Sequence, residues 1–319
     1  MTFTCKKNGR LDAVMSEELS LPRNQIEQLI RQVGVKVNDK EVKKCSYKVK
    51  VDEIIEYNFV KAVKEKENYE VDFDIDVLYE DDDIMVINKP PYLTIHPAPS
   101  VKEATVVDWL IKRGVSLSTI SGEERHGIVH RIDKETSGAL VIAKNNEAHE
   151  YLSKQLVDKS MGRYYVAISD LPLKEDVIVD KPIGRNRNNR LKMDVVLGGR
   201  ESKSAFCKLV LSKDEKMELI SAKLFTGRTH QIRVHLNALS RHIVGDDLYG
   251  FKSQKGKIAR VMLHAYILYL QHPKTGEYMQ VIAPPFEDFE NILNKHFSKD
   301  EIDEKMDSSY IIKRFDTFC

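Results

Sequence analysis

From residue 127 to residue 283 the sequence is dominated by short apolar runs, at 127–132, 138–143, 161–169, 204–211, 217–225, 261–270 and 278–283. A hairpin pattern precedes them: 77–80 and 84–89 flank an acidic turn. Helical spacing fits 103–113, 145–158, 229–239 and 286–296. Strands joined by turns outnumber helices too heavily for a doubly wound fold, in which the two alternate. The expected class is α+β, with a mixed, largely antiparallel, curved sheet.

The first 60 residues read as a separate unit. Leu11, Val14, Met15 and Leu19 share one helix face, and Ile26, Leu29 and Ile30 another. Pro22 breaks the chain between them, and Gly34 ends the second helix. The stretch VKVNDKEVKKCSYKVKVDEIIEYNFV alternates in short strands around an Asn38-Asp39 turn. The expected organisation is a front domain over 1–60, an acidic linker over 61–76, a main domain over 77–297 and a polar tail over 298–319.

Net charge is +1, from 50 basic and 49 acidic residues, so only its distribution can speak of partners. Residues 67–83 hold nine acids and no Lys or Arg. Residues 181–192 (KPIGRNRNNRLK) hold five cations and no acid, and 223–242 hold four Lys or Arg and three His, again with no acid. Such runs are candidate phosphate contacts. Cys5, Cys45, Cys207 and Cys319 lack CxxC spacing, which argues against a zinc site or disulfide framework and for a reducing cytosol. No apolar signal core opens the chain, and no apolar run approaches spanning length. A cytoplasmic, monomeric protein is expected.

The segment GIVHRIDKETSGALVIAK (127–144) places Asp133 in a turn among His130, Arg131 and Lys134. A purely structural turn needs the aspartate and leaves its cations unexplained. The small residues Thr136, Ser137 and Gly138 after it would let a ligand backbone approach. The histidine pairs make poor metal sites. His126 and His130 lie in a strand-like run, while His230 and His235, five apart on a helix, diverge.

Six blocks occur in order: INKPPYLTIHPAP (87–99), HGIVHRIDKETSGALVIAK (126–144), GRYYVAI (162–168), PIGRNRNNRLKMDVV (182–196), LFTGRTHQIRVHLNALSRHIVGDDLYG (224–250) and LHAYILYLQHP (263–273). Together they resemble the RluA/RluD family of RNA pseudouridine synthases, and the PIGR block favours the RluD branch, which acts on large-subunit ribosomal RNA. The front unit resembles the S-four-type RNA-binding module, with Arg10, Arg23, Lys36 and Lys40 as its candidate RNA contacts. The family's glycine stands as Tyr92 here, which questions the local turn.

The resemblance implies isomerisation of uridine to pseudouridine without cofactor or metal. It implies Asp133 as nucleophile or base and Arg233, from the THQIR block, as its ionic partner. Thr229 fits the N-cap of the helix that carries Arg233. The resemblance further implies Tyr165 as the ring that stacks on uracil and Arg131 as the side chain that fills the space of an extruded base. His130, Arg185, Arg187, Arg190 and Arg228 complete the expected RNA contacts. Near Asp133 the one other acid is Glu135, which the family does not require. Glycosidases commonly use two carboxylates, so a lone one suits an isomerase better. Two alternatives remain open at this level: the same reaction on transfer RNA, and a non-catalytic RNA-binding or assembly factor.

Overall fold

The computed structural model describes residues 1–319 except 20, 22, 59–68, 99, 119, 121–125, 252–254, 257, 317 and 319, and the side chains of 24, 25, 28 and 32. Pro22 therefore lies outside the described residues. The chain divides into two compact units, Met1–Glu67 and Asn68–Cys319.

The front unit contains β1 (Thr2–Thr4), β2 (Gly9–Arg10), α1 (Leu11–Glu18), α2 (Arg23–Gln32), β3 (Val35–Val37), β4 (Lys40–Val42), β5 (Lys48–Val49) and β6 (Ile54–Glu56). Strands order as β1-β6-β3-β4, with β2 paired to β5. The Asn38-Asp39 turn closes the β3–β4 hairpin at Val37↔Lys40. Both turn residues take positive φ, 47° and 66°, the geometry that matches strand twist in a two-residue hairpin. Leu11, Met15, Ile26, Ile30 and Ile55 are fully buried and form the centre of this unit's own core.

The second unit is built on β7 (Val77–Glu80), β8 (Ile84–Lys89), α3 (Val106–Lys112), β9 (Ser137–Ala143), α4 (Asn146–Asp158), β10 (Gly162–Ser169) and β11 (Val177–Asp180). It continues through β12 (Ile183–Arg185), β13 (Met193–Val195), β14 (Lys203–Leu211), β15 (Glu218–Leu224) and α5 (Gln231–Ala238). It ends in β16 (Leu263–Gln271), β17 (Tyr278–Ile282), α6 (Glu287–His296), α7 (Lys299–Lys305) and α8 (Ser308–Asp316). Nine strands form one sheet, in the order β11-β14-β15-β10-β16-β9-β8-β7, with β17 also on β16. Every pairing is antiparallel except β16 with β9. A mixed, largely antiparallel α+β fold is what the run of short strands called for. At β8 and β9 both sheet faces are covered: Met85, Ile87, Leu140 and Ile142 join one core, and Ile84, Val86, Ala139 and Val141 another, beneath Ala148 and Leu152 of α4. That double burial explains why these strands read as unbroken apolar runs.

Three expectations need correction. Residues 127–132 form no strand; one bridge, Ile128↔Ile142, is their sheet contact. Of the proposed linker, 61–68 lies outside the described residues, but 69–76 belongs to the second unit, since Val71 and Ile75 are buried in its core. The C-terminal segment is no loose tail. Residues 299–316 fold into α7 and α8, and Met306, Ile311 and Phe315 pack into the same core. Among the described residues no helix is long and apolar enough to cross a membrane.

Candidate active site

The turn that carries Asp133 leads into β9 and is closed by Thr136 N–H donating to the Asp133 carbonyl at 3.1 Å. Two buried cations fix it. Lys89, at the end of β8, donates from Nζ to the carbonyls of Pro90, Leu93 and Lys134 at 2.7, 3.0 and 3.1 Å. Burial pulls its ammonium down to about 7; the three carbonyls work the other way, since only an ammonium offers three N–H donors. Arg260 donates to the Glu135 carbonyl at 3.4 Å and is anchored to Asp288 of α6 by two bonds of 2.5 and 2.8 Å. The Pro90-Pro91 turn keeps a left-handed residue at Tyr92 (φ 64°), as a glycine there would, and the Tyr92 hydroxyl donates to the Ala259 carbonyl at 2.6 Å.

Arg233 lies in the first turn of α5. The N-cap is His230, in left-handed conformation (φ 57°) and without a side-chain cap bond, so Thr229 is not the cap. Gln231 instead ties down the loop that leads into α5. Its Oε1 accepts from Arg228 N–H at 2.9 Å and Thr226 Oγ at 2.8 Å. Arg233 Nε and Nη2 donate to the two oxygens of Asp246 at 2.7 and 2.8 Å. Asp246 also accepts from the Leu248 and Tyr249 N–H groups, both at 3.0 Å. Gly245, at φ 79°, turns the chain against the Arg260 backbone, where a β-carbon would collide. The remaining terminal nitrogen, Nη1, stands 3.5 Å from Asp133 Oδ2. Burial works against the Arg233 charge, but the bonded Asp246 carboxylate outweighs it and raises the guanidinium above its ordinary value. The Tyr249 ring lies 5.1 Å from the guanidinium carbon.

His230 is a second neighbour. Its Nε2 is 3.9 Å from Asp133 Oδ2 and its Nδ1 is 3.0 Å from the Tyr249 hydroxyl. That hydroxyl also accepts the Met193 N–H at 2.8 Å; in the tautomer in which it donates to Nδ1, the Nε2 proton faces Asp133. Burial lowers His230 against the pull of Asp133. A single cavity is lined by Arg131, Asp133, Tyr165, Arg228, His230 and Arg233, with small parts of β15 and β16. Tyr165, 4% exposed, lies on β10 at the middle of the sheet. Tyr164 beside it packs instead on Tyr269 and Phe315, at ring distances of 5.4 and 5.2 Å. One carboxylate thus shares a cavity with an aromatic ring and a fixed guanidinium, and no second acid lines it.

A model of the RNA pseudouridylate synthase family matches residues 83–238, and one of the S4 domain matches residues 9–55. An uncharacterized RNA pseudouridine synthase of Helicobacter pylori (strain J99) is 44% identical over 312 residues, covering 96% of this chain and 95% of its own. The chain belongs to the RNA pseudouridine synthases. It is therefore an isomerase of uridine in RNA. The ribosomal large subunit pseudouridine synthase D of Nitrosomonas europaea is 34% identical over 292 residues, covering 89% of this chain and 83% of its own. Human RNA pseudouridylate synthase domain containing 1 shares the fold, with a TM-score of 0.57 and 24% identity over 72% of this chain and 94% of that one.

The other expected RNA contacts of this synthase divide. Arg185, Arg187 and Arg190 are exposed on the β12–β13 hairpin, and Arg185 lines a second cavity with Arg200 and Arg228. Arg131 is exposed beside Asp133. In the front unit Lys36 and Lys40 are exposed, whereas Arg10 and Arg23 both bind Asp12, each through a 2.8 Å bond, and stay half-exposed. His130 is buried rather than exposed: its Nε2 accepts the Val141 N–H at 3.2 Å, and burial keeps it neutral. Thr136, Ser137 and Gly138 are also buried, so their smallness serves packing rather than a ligand's approach. Gly138 (φ 113°) pairs with β16 where a β-carbon would strike the Ala265 backbone, and Ser137 Oγ bonds His264 Nδ1 at 2.9 Å.

Sequence reasoning overlooked Asp246, Tyr249, His230 and Lys89 as parts of the site, although all lie within the quoted blocks. Among the described residues one group has metal-ligand composition, Asp81, Asp83 and His272, with ligand atoms within 4.8 Å of one another. They are spent on local bonds: His272 Nε2 to Asp81 at 2.6 Å, and Asn145 Nδ2 to Asp83 at 2.8 Å.

Proposed function

We propose that the enzyme converts specific uridines of large-subunit ribosomal RNA to pseudouridine, with Asp133 as the reacting carboxylate, nucleophile or base. The reaction breaks the bond from C1′ to N1 and makes one from C1′ to C5. C5 gives up a proton and N1 gains one, so no redox partner or group donor is consumed. Asp133 faces the extruded nucleoside, Tyr165 carries the uracil, and Arg131 fills the stack it leaves. Arg233 fixes the carboxylate's position. Arg10, Arg23, Lys36, Arg185, Arg187, Arg190 and Arg228 hold phosphates.

The single observation that carries this reading is Arg233 Nη1 at 3.5 Å from Asp133 in a cavity shared with Tyr165. The choice of RNA is supported by the relative from Nitrosomonas europaea and by the S4 domain. Purified ribosomal and transfer RNA, each incubated with the enzyme and mapped for pseudouridine, test it. Product in large-subunit RNA is expected; product confined to transfer RNA contradicts the choice of substrate.

A further inference from the structure

Arg163 has no role in the chemistry above. It sits on β10 two residues before Tyr165 and is 8% exposed. Its Nε and Nη1 are buried with no hydrogen-bond partner among the described residues. A buried guanidinium without a partner is costly and demands an explanation. A second orphan donor lies in the same place. His130 Nε2 accepts the Val141 N–H, so the ring proton is on Nδ1, which is likewise buried and unpartnered.

Both side chains line a cavity that also includes Arg131 and Lys159 and has no Asp or Glu in its wall. The cavity continues into that of Asp133, for Arg131, Arg163, Leu224 and Gly227 line both. Along β10, Arg163 and Tyr165 face the same way, about 7 Å apart. A base stacked on Tyr165 therefore brings its own backbone within reach of Arg163. An uncharged group such as a base carbonyl would satisfy a donor but leave three cations uncompensated. A phosphodiester satisfies both needs.

Building on the function proposed above, we infer that Arg163, aided by the Nδ1–H of His130, binds an RNA phosphate flanking the reactive uridine. Reaching it takes a side-chain rotation of the kind that commonly accompanies binding. Arg163 is a binding residue here, and its orphan state is that of the RNA-free enzyme.

The test uses the full-length enzyme, a ribosomal RNA fragment with the mapped uridine, and the same fragment with a neutral methylphosphonate at either flanking position. Arg163→Met is expected to weaken RNA binding roughly tenfold. The slope of log affinity against log salt should fall by about 0.7, one single-strand phosphate, while Arg163→Lys retains the slope. One methylphosphonate should weaken wild-type binding by a similar factor and add nothing to Arg163→Met. Without RNA, Arg163→Met should melt no lower than wild type, because an unpaired buried charge has been removed. A salt slope unchanged in Arg163→Met, fully additive methylphosphonate effects, or a lower melting temperature for both variants overturns the site. If wild type makes pseudouridine but Arg163→Met keeps its slope, this site fails and the function stands. If the mapped uridine lies in transfer RNA instead, and Arg163→Met loses slope on a fragment of that RNA, the choice of ribosomal RNA fails and the site stands.

Discussion

The two units each contain an aspartate–arginine cluster, built in opposite senses. In the front unit one buried acid, Asp12, serves two half-exposed arginines: its side chain is 0% exposed, those of Arg10 and Arg23 51% and 50%. In the second unit one buried arginine serves two acids: Arg233 is 7% exposed, Asp246 0% and Asp133 22%. In each case a buried partner anchors the cluster, and under the function proposed above the partner that reaches solvent is the one offered to RNA. Counting charges, the first cluster turns a net positive face outward and the second a net negative one. A phosphate suits the first, and a sugar carbon or a proton suits the second.

If this inversion is right, the acids must differ in what their loss does to the fold. Asp246→Asn should be the most damaging, by about 3–5 kcal/mol in urea unfolding, because it strips a buried guanidinium of its bidentate partner. A loss under about 1 kcal/mol would mean that Asp133 alone can hold Arg233. Asp12→Asn should cost about 1–3 kcal/mol, since its arginines can turn to water once released. Hydrogen exchange in α1 is the readout, and unchanged protection would break the parallel between the clusters.

Acid should separate them too. Arg10 first, and Arg23 with it, hold the Asp12 carboxyl down at about 2, against an ordinary 3.8. A carboxyl with a depressed folded-state pKa stabilises fully above its unfolded value and loses that contribution as pH falls through the folded one. Front-unit stability from this pair should therefore decline between about pH 4 and 2, and Asp12→Asn should flatten that decline. Arg10→Met with Arg23→Met should lower the salt slope of RNA binding by about 0.7–0.9 for each phosphate no longer bound. An unchanged slope would make both arginines purely structural. Asp133→Ala should alter stability least, by about 0.5 kcal/mol or less, because the acid is partly exposed and Asp246 keeps Arg233 paired.

Much of this was legible in the sequence, unevenly. Asp133 and Arg233 stand 100 residues apart, yet the HRIDKETSG and THQIR blocks named both. Asp246 escaped because it touches a partner of Asp133 rather than Asp133, and no local spacing reveals that relation. The strands β8, β9, β10, β14, β15, β16 and β17 follow their apolar runs closely. The run 127–132 does not, since β9 already has β8 and β16 as neighbours. Smallness at Thr136, Ser137 and Gly138 was misread because a ligand and a neighbouring strand make the same demand of a side chain. The helices α7 and α8 hid behind polar residues; Ile311 and Phe315, four apart, were a face too narrow to stand out.

The central claim is that Asp133, presented by a guanidinium that Asp246 holds in place, performs the chemistry on uridine. Tritium release from RNA labelled at uridine C5 measures that step directly, in wild type and in Asp133→Ala. With the variant folded and bound to RNA, release should fall to background, a loss of at least about a thousandfold. Release at the wild-type rate from Asp133→Ala would contradict the account.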